Sequence, residues 1–351
     1  MRRAMIILWS CVGLLPLLTT TAIVDLQPGI ASFATRRLPL LLWNDGALQA
    51  MRDDLHRWRA PLQMASDTVR ASMAQRGPVS VVNKTLDPPD GDRRNYMSTV
   101  PYAWECHKRP QYCVPYNHTP YSNQTLQCLS KEWLICDGQY NHEVMNTLDY
   151  IHLSILIADV QALAIAWSVL GDTVAGQTAA HQIRTFFLDS ATAVYPHLWY
   201  SQIIPYSSNP DRAKGSLDCV IDWSDVLRLM DAMALVQDLL AEAERVQLQQ
   251  WFLKFLHFIS RPDIKALHDA HRTNHAPWYD AVRIGIAIWV GDTAVAVEQA
   301  QVAKAHIGSH IAPNGDMPAE TQRIMSIFYF AYTLDAFAVT AELCAQVGED
   351  L

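Results

Sequence analysis

The chain has 351 residues, half of them hydrophobic and 18% charged, with a formal charge of −8. That is enough apolar material for one large domain or two ordinary ones with a sizeable core. It excludes a low-complexity chain and a global basic footprint for nucleic acid, although a local basic cleft could still take an acidic substrate.

The first element is a secretory-type leader. Arg2 and Arg3 form a positive start, Ala4 to Leu18 an apolar core, and Thr19 to Ala22 a run of small residues for cleavage. The apolar run is shorter than the about 20 residues that span a bilayer. A signal peptide over 1–22 is therefore expected, with a single domain over 23–351 that is exported and free of the membrane after cleavage.

Helical spacing of Leu48, Met51, Leu55, Trp58 and Leu62 predicts a helix over 45–74, broken at Gly77-Pro78. Ser80 to Val82 reads as a short extended piece, and Asp87 to Asp92 as a turn cluster. From Tyr96 to about Tyr140 the sequence is irregular and rich in Tyr, Trp, Pro and Cys; so long a loop is usually functional. Cys106, Cys113, Cys128 and Cys136 crowd this stretch, with six, fourteen and seven residues between them. No C-x2-C pair is present, so disulfides rather than a metal are expected in an oxidising compartment. Four cysteines allow three pairings, and the sequence does not choose. Cys219 and Cys344 are left to pair or to stay buried thiols. Sequons at Asn83, Asn117 and Asn123, two of them in the same loop, predict a glycosylated surface.

Helices then follow one another, over 148–170, 173–188, 222–240, 242–259, 278–290, 293–311 and 321–347, with Arg261-Pro262-Asp263 a break and restart. Two connections, Gly171-Asp172-Thr173 and Gly291-Asp292-Thr293, echo each other. Gly suits a left-handed C-cap and Asp or Thr the next N-cap, which gives tight helical hairpins. An all-α array of antiparallel hairpins, a toroid or solenoid, is expected.

The polar and aromatic motifs fall between helices. They are Pro88-Pro89-Asp90-Gly91-Asp92, Asn95-Tyr96-Met97-Ser98-Thr99-Val100-Pro101-Tyr102-Ala103-Trp104, Phe187 to Thr192, Pro196-His197-Leu198-Trp199-Tyr200-Ser201-Gln202, Thr273-Asn274-His275-Ala276-Pro277-Trp278-Tyr279-Asp280, and Pro318-Ala319-Glu320-Thr321-Gln322-Arg323 followed by Tyr329. In this order they resemble the alginate lyase superfamily of polysaccharide lyases, over roughly residues 40–351. The resemblance implies an incomplete (α/α) toroid with a substrate cleft, and β-elimination on an anionic uronic-acid polymer without cofactor or metal; the cysteine-rich stretch adds a long disulfide-stapled loop, and the leader a secreted protein, expected as a monomer.

The residue types fit those demands. Taking H5 from a uronate requires its carboxylate to be neutralised, for which Asn274, His275 and Arg323 offer a neutral donor, a tunable donor and a fixed cation. One group must take the proton and another give one to O4. The resemblance assigns Tyr329 as acid and candidate base, with His275 the other candidate base. Work as a base needs the phenol lowered from near 10, which a nearby Arg323 would assist. The spacing of six residues on one helix places Arg323 and Tyr329 roughly 120° apart. The resemblance further implies sugar contacts from Tyr200, Gln202, His197, Tyr96, Tyr102 and Trp104, and a second carboxylate contact from Arg272. The blander alternatives are hairpin packing for Tyr200 and Gln202, loop anchoring for Trp104, a solvated charge for Arg272, and a helix cap for Asn274.

Three departures stand out. Thr273 replaces the first Asn of an Asn-Asn-His pattern. Met325 stands where a second Arg is frequent. The sequence closes at Gly348 to Leu351 where relatives usually continue through further helices, which leaves a truncated sequence and a shorter toroid as the two alternatives. These departures keep open a carbohydrate-binding protein that has lost catalysis. A hydrolase would need a pair of cleft carboxylates; Glu320 is read instead as structural.

Overall fold

The computed structural model describes residues 36–111, 113, 133–145, 148–204 and 215–351. The leader over 1–22, Cys128 and the sequons at Asn117 and Asn123 lie outside these residues. Asn83 is exposed.

The described chain is predominantly helical. Helix α1 (Asp45–Asp53) and α2 (Leu55–Arg76) replace the single predicted helix, because Asp54 leaves helical geometry and its side chain caps α2 through Arg57 N. Three short strands follow, β1 (Met97–Thr99), β2 (Ala103–Glu105) and β3 (Trp133–Ile135), then a one-turn helix α3 (His142–Met145). Helices α4 (Asp149–Leu170) and α5 (Thr173–Ile183) form the first hairpin. Strand β4 (Tyr200–Ile203) leads to α6 (Val226–Leu235), α7 (Glu242–Ile259) and α8 (Pro262–Ala270). The second hairpin is α9 (His275–Val290) with α10 (Thr293–His310), and α11 (Pro318–Thr321) and α12 (Ser326–Gln346) close the order.

Both predicted hairpins are present for the predicted reason. Gly171 and Gly291 adopt left-handed C-cap angles, and Asp172 and Asp292 accept from Ala175 N and Val295 N at the next helix starts. Helix α9 is the spine of the core. Every residue from Ala276 to Ala287 is buried, as expected of a largely apolar helix, and its two charged residues, Asp280 and Arg283, are met by Gln299, His306 and Glu298. It packs against α7, α10 and α12. Trp278 and Tyr279 anchor it, the Tyr279 hydroxyl donating to Ile259 O at 3.0 Å. Helices α4 and α12 are long and apolar enough to cross a membrane by length and composition alone, and both carry residues of this core.

The strands correct an expectation of none. Strand β1 pairs in parallel with β4, and β2 in antiparallel with β3. The piece at Ser80–Val82 is likewise not extended; Val81–Asn83 forms a 3-10 turn capped by Ser80. Pairing of β1 with β4 joins two motifs about a hundred positions apart. Beneath this seam, half-buried Asp222 accepts hydrogen bonds from Ser98, Ser201, Gln202 and Tyr96. In the cysteine-rich segment, Cys113 is bonded to Cys136, and Cys106 is also disulfide-bonded. Cys219 and Cys344 are buried free thiols, so they do not pair.

Candidate active site

Asn274 occupies the N-cap position of α9 but does not act as a cap. Its backbone is already helical, and no side-chain cap bond forms. Instead its Nδ2 donates to Glu320 Oε1 at 2.9 Å, and its backbone N–H donates to the same oxygen. Thr333 Oγ1 donates to that oxygen too, at 3.2 Å. The other carboxylate oxygen, Oε2, receives Arg323 Nη1 at 3.2 Å. Glu320 therefore joins the Asn274 motif to the Arg323 motif. Its side chain is buried, which agrees with a structural reading of this residue.

Arg323 does not belong to the last helix. Residues 322–325 form a turn between α11 and α12, with Met325 at φ −98° and ψ 48°, outside helical geometry. The turn folds the guanidinium back over the Tyr329 ring, 3.2 Å from its centroid, so helical spacing does not describe the pair. Asp137 grips the same guanidinium by a fork, Nη2 to Oδ1 at 2.6 Å and Nε to Oδ2 at 3.2 Å. Asp137 follows Cys136 in a turn whose Gly138 has φ +68°. A Cβ there would stand 3.0 Å from Met325 Cγ. The disulfide-held segment thus fixes Asp137, and Met325 packs where a second arginine was the alternative.

The Tyr329 hydroxyl is buried and has no hydrogen-bond partner among the described residues. Burial raises its phenol well above the ordinary value. The expectation that Arg323 would lower it is not met, because the cation lies over the ring face and its nitrogens bond two carboxylates. The state held ready is the protonated phenol, an acid.

His275 begins α9 with its side chain mostly covered. Burial pushes it down to about 3, with Asp218 the opposing influence, so the ring is neutral. Its Nδ1 is buried without a hydrogen bond among the described residues, 4.0 Å from Asp218 Oδ1. His271, stacked on His275 with centroids 4.9 Å apart, reaches the same oxygen through Nε2 at 3.1 Å. Its Nδ1 lies 3.1 Å from Thr273 Oγ1, which is where the departing Thr273 spends its hydroxyl. Burial works to raise the Asp218 carboxyl, but the His271 hydrogen bond and the His275 ring outweigh it and hold it at about 2.

The implied sugar contacts divide. Tyr96 is fully buried, edge-on to Trp223 and bonded to Asp222; it is core rather than surface. The Gln202 amide donates to Asp222 Oδ1 at 2.9 Å from a left-handed backbone, φ 53°, and is committed internally. Trp104 is a loop anchor, its Nε1 donating to Gln139 O at 2.8 Å. Tyr102 packs on Tyr140. His197 packs among Tyr195, Trp199 and Phe258. Tyr200 is half-buried beside Asp90, and Arg272 is exposed. Arg272 lines an open cleft of about 430 Å³ with His271, Thr273, Ala319 and Gln322.

Sequence reasoning passed over Asp137, Asp218 and His271, and did not see Glu320 as the junction. Only His271 carried a signal, four residues before His275, a spacing that can place two imidazoles together.

Residues 80–351 match a family model described as alginate lyase. An alginate lyase from Bacteroides ovatus has a similar solved structure, with a TM-score of 0.73 and 23% sequence identity, over 89% of this chain and 78% of that one. At that identity the likeness is one of fold. No curated protein matches the chain.

Proposed function

Because the chain belongs to the alginate lyase family, we propose that it is a polysaccharide lyase that cleaves an anionic uronic-acid polymer by β-elimination. The observation that carries this reading is the junction at Glu320. It brings Asn274, at the start of α9, to Arg323, which lies on the ring of Tyr329. Two distant motifs thereby supply a carboxylate-binding side and a proton-donating side.

In this reading Asn274 and neutral His275 bind the uronate carboxylate. Hydrogen bonds to the enolate-like charge gain strength where water is excluded. His275 takes H5, its basicity rising as the substrate carboxylate arrives beside it. Tyr329 gives its proton to the departing O4. Arg323 acts through Tyr329: held by Asp137 and Glu320, it fixes the ring rather than meeting the substrate carboxylate directly. Arg272 and Tyr200 remain as contacts for neighbouring sugars.

The overall form proposed is an incomplete (α/α) toroid, and the protein a secreted, glycosylated monomer. The leader-like sequence, the Cys113–Cys136 disulfide and the exposed Asn83 support that location. A second reading, a carbohydrate-binding protein that has lost catalysis, draws on the internal commitment of Arg323 and Gln202. Incubation with alginate, polymannuronate and glucuronan separates the two. Rising ultraviolet absorbance of an unsaturated uronate supports the lyase. Binding without absorbance supports the second reading, and new reducing ends without absorbance mean hydrolysis.

A further inference from the structure

We propose that Asp218, His271 and His275 form a binding site for a divalent transition-metal cation of the zinc class. Nothing in the reaction described above requires it, and the resemblance implies a metal-free enzyme.

Three observations carry the site. The ligand atoms lie within 4.8 Å of one another. Around a tetrahedral ion with bonds of about 2.0–2.2 Å, ligand atoms stand about 3.4 Å apart. The two measured separations from Asp218 Oδ1, 3.1 Å to His271 Nε2 and 4.0 Å to His275 Nδ1, bracket that value. Small side-chain rotations would equalise them.

The second observation is an unspent nitrogen. His275 Nδ1 is buried, turned toward a carboxylate, and too far from it for a hydrogen bond. A buried polar atom in that condition calls for an explanation. An ion shared with Asp218 supplies one; with Nδ1 on the ion the ring keeps its proton on Nε2, so the loaded form would donate to a substrate carboxylate and would not take H5.

The third is the support around His271. Its far nitrogen, Nδ1, is engaged by Thr273 Oγ1 at 3.1 Å. Metal-ligating histidines are characteristically oriented through the ring nitrogen that does not bind the metal. The ligands also stand on fixed elements: His271 at the end of α8, His275 at the head of α9, and Asp218 just before the 3-10 turn Cys219–Trp223.

Local charge points the same way. Arg323 is shared between Asp137 and Glu320, and Asp218 adds a further carboxylate. A cation here would offset that charge and leave a coordination position for an anionic ligand. Three protein ligands with one position open is the arrangement of reactive rather than purely structural zinc sites.

The test uses the whole chain, stripped with a chelator and dialysed. Zinc chloride is titrated by calorimetry, and cobalt(II) by visible absorption. One ion per chain is expected, with cobalt bands of tetrahedral intensity and no comparable uptake of magnesium. Asp218→Asn and His271→Gln should each weaken binding at least 100-fold, while His181→Gln, at an exposed position on α5, leaves it unchanged. Circular dichroism checks that each variant is folded. Absence of stoichiometric zinc binding by the wild-type chain overturns the proposal, whatever the variants do. So does binding that survives in folded Asp218→Asn and His271→Gln. The lyase reading is tested separately by uronate absorbance, so either can fail alone.

Discussion

Arg323 places its guanidinium carbon 3.2 Å from the centroid of the Tyr329 ring, while Asp137 and Glu320 hold its nitrogens. The cation sits on the face of the phenol and not beside its oxygen. Arginine stacks in this way because its planar, delocalised charge is weakly hydrated. The stack fixes where the hydroxyl points without making it more acidic.

Tyr329→Phe retains that stack and removes only the hydroxyl. Elimination should fall at least 1,000-fold, with polymer binding changed less than about threefold, as befits loss of a proton donor. Initial rates of uronate absorbance and a separate binding isotherm check this. Turnover near the wild-type rate would remove Tyr329 from the chemistry.

Glu320→Gln breaks the junction. One partner of a buried ion pair is lost, and of the two acceptor oxygens only one remains: if the amide oxygen keeps Asn274 and Thr333, the NH2 group faces Arg323. Removing one member of such a pair costs about 3–5 kcal/mol. Urea unfolding should show that loss, and activity should drop even where the variant is folded. A variant as stable as the parent would mean Glu320 joins nothing.

A second buried ion pair underlies the seam of β1 and β4. Lys84 Nζ stands 3.0 Å from Asp149 Oδ2, both side chains wholly buried, and the same oxygen accepts Met97 N of β1. Burial lowers the lysine and raises the aspartate. Lys84→Met should cost up to about 3–5 kcal/mol by leaving the buried carboxylate with only Met97 N and His152 as partners. Lys84→Met combined with Asp149→Asn should cost less than the sum of the single changes. Additive losses in denaturant titrations would deny the coupling.

His310 gives the acid limb of stability a defined slope. Burial pushes its ring down to about 4, against about 6.5 in the unfolded chain. The unfolded state therefore binds more protons between those values, and stability rises with pH across that window. Acidifying from pH 7 to 4 should remove about 3 kcal/mol through this group. In His310→Gln the slope between pH 4 and 6.5 should be flatter by one proton. Parallel curves for variant and parent would place the acid sensitivity elsewhere.

The hairpins were legible because their cause is local. Gly171 and Gly291 sit where only a left-handed residue continues the chain, and the Asp that caps the next helix is its neighbour. Asn274, His275 and Tyr329 could be selected by residue type and motif. Their connections could not. Asp137 meets Arg323 across 186 positions, and no spacing in the chain encodes that partner. The seam between β1 and β4 escaped notice for the opposite reason: strands of three and four residues are too short to show a period. The helix assumed to hold Arg323 failed at Met325, where the backbone turns in spite of an apolar, helix-compatible sequence.

Helix α9 divides the labour of the site. With every residue from Ala276 to Ala287 enclosed, the head of that helix moves only if the core moves with it. Asn274 and His275 are thus an immobile reference. The opposing Arg323 stands on a four-residue turn and is tied to a disulfide-held segment through Asp137, while Tyr329 stands in the first turns of α12. The second side is held instead by long-range ties, Arg323 to Asp137 and to Glu320, so residues 136–139 and 322–325 can be altered without disturbing the helix that bears the histidine.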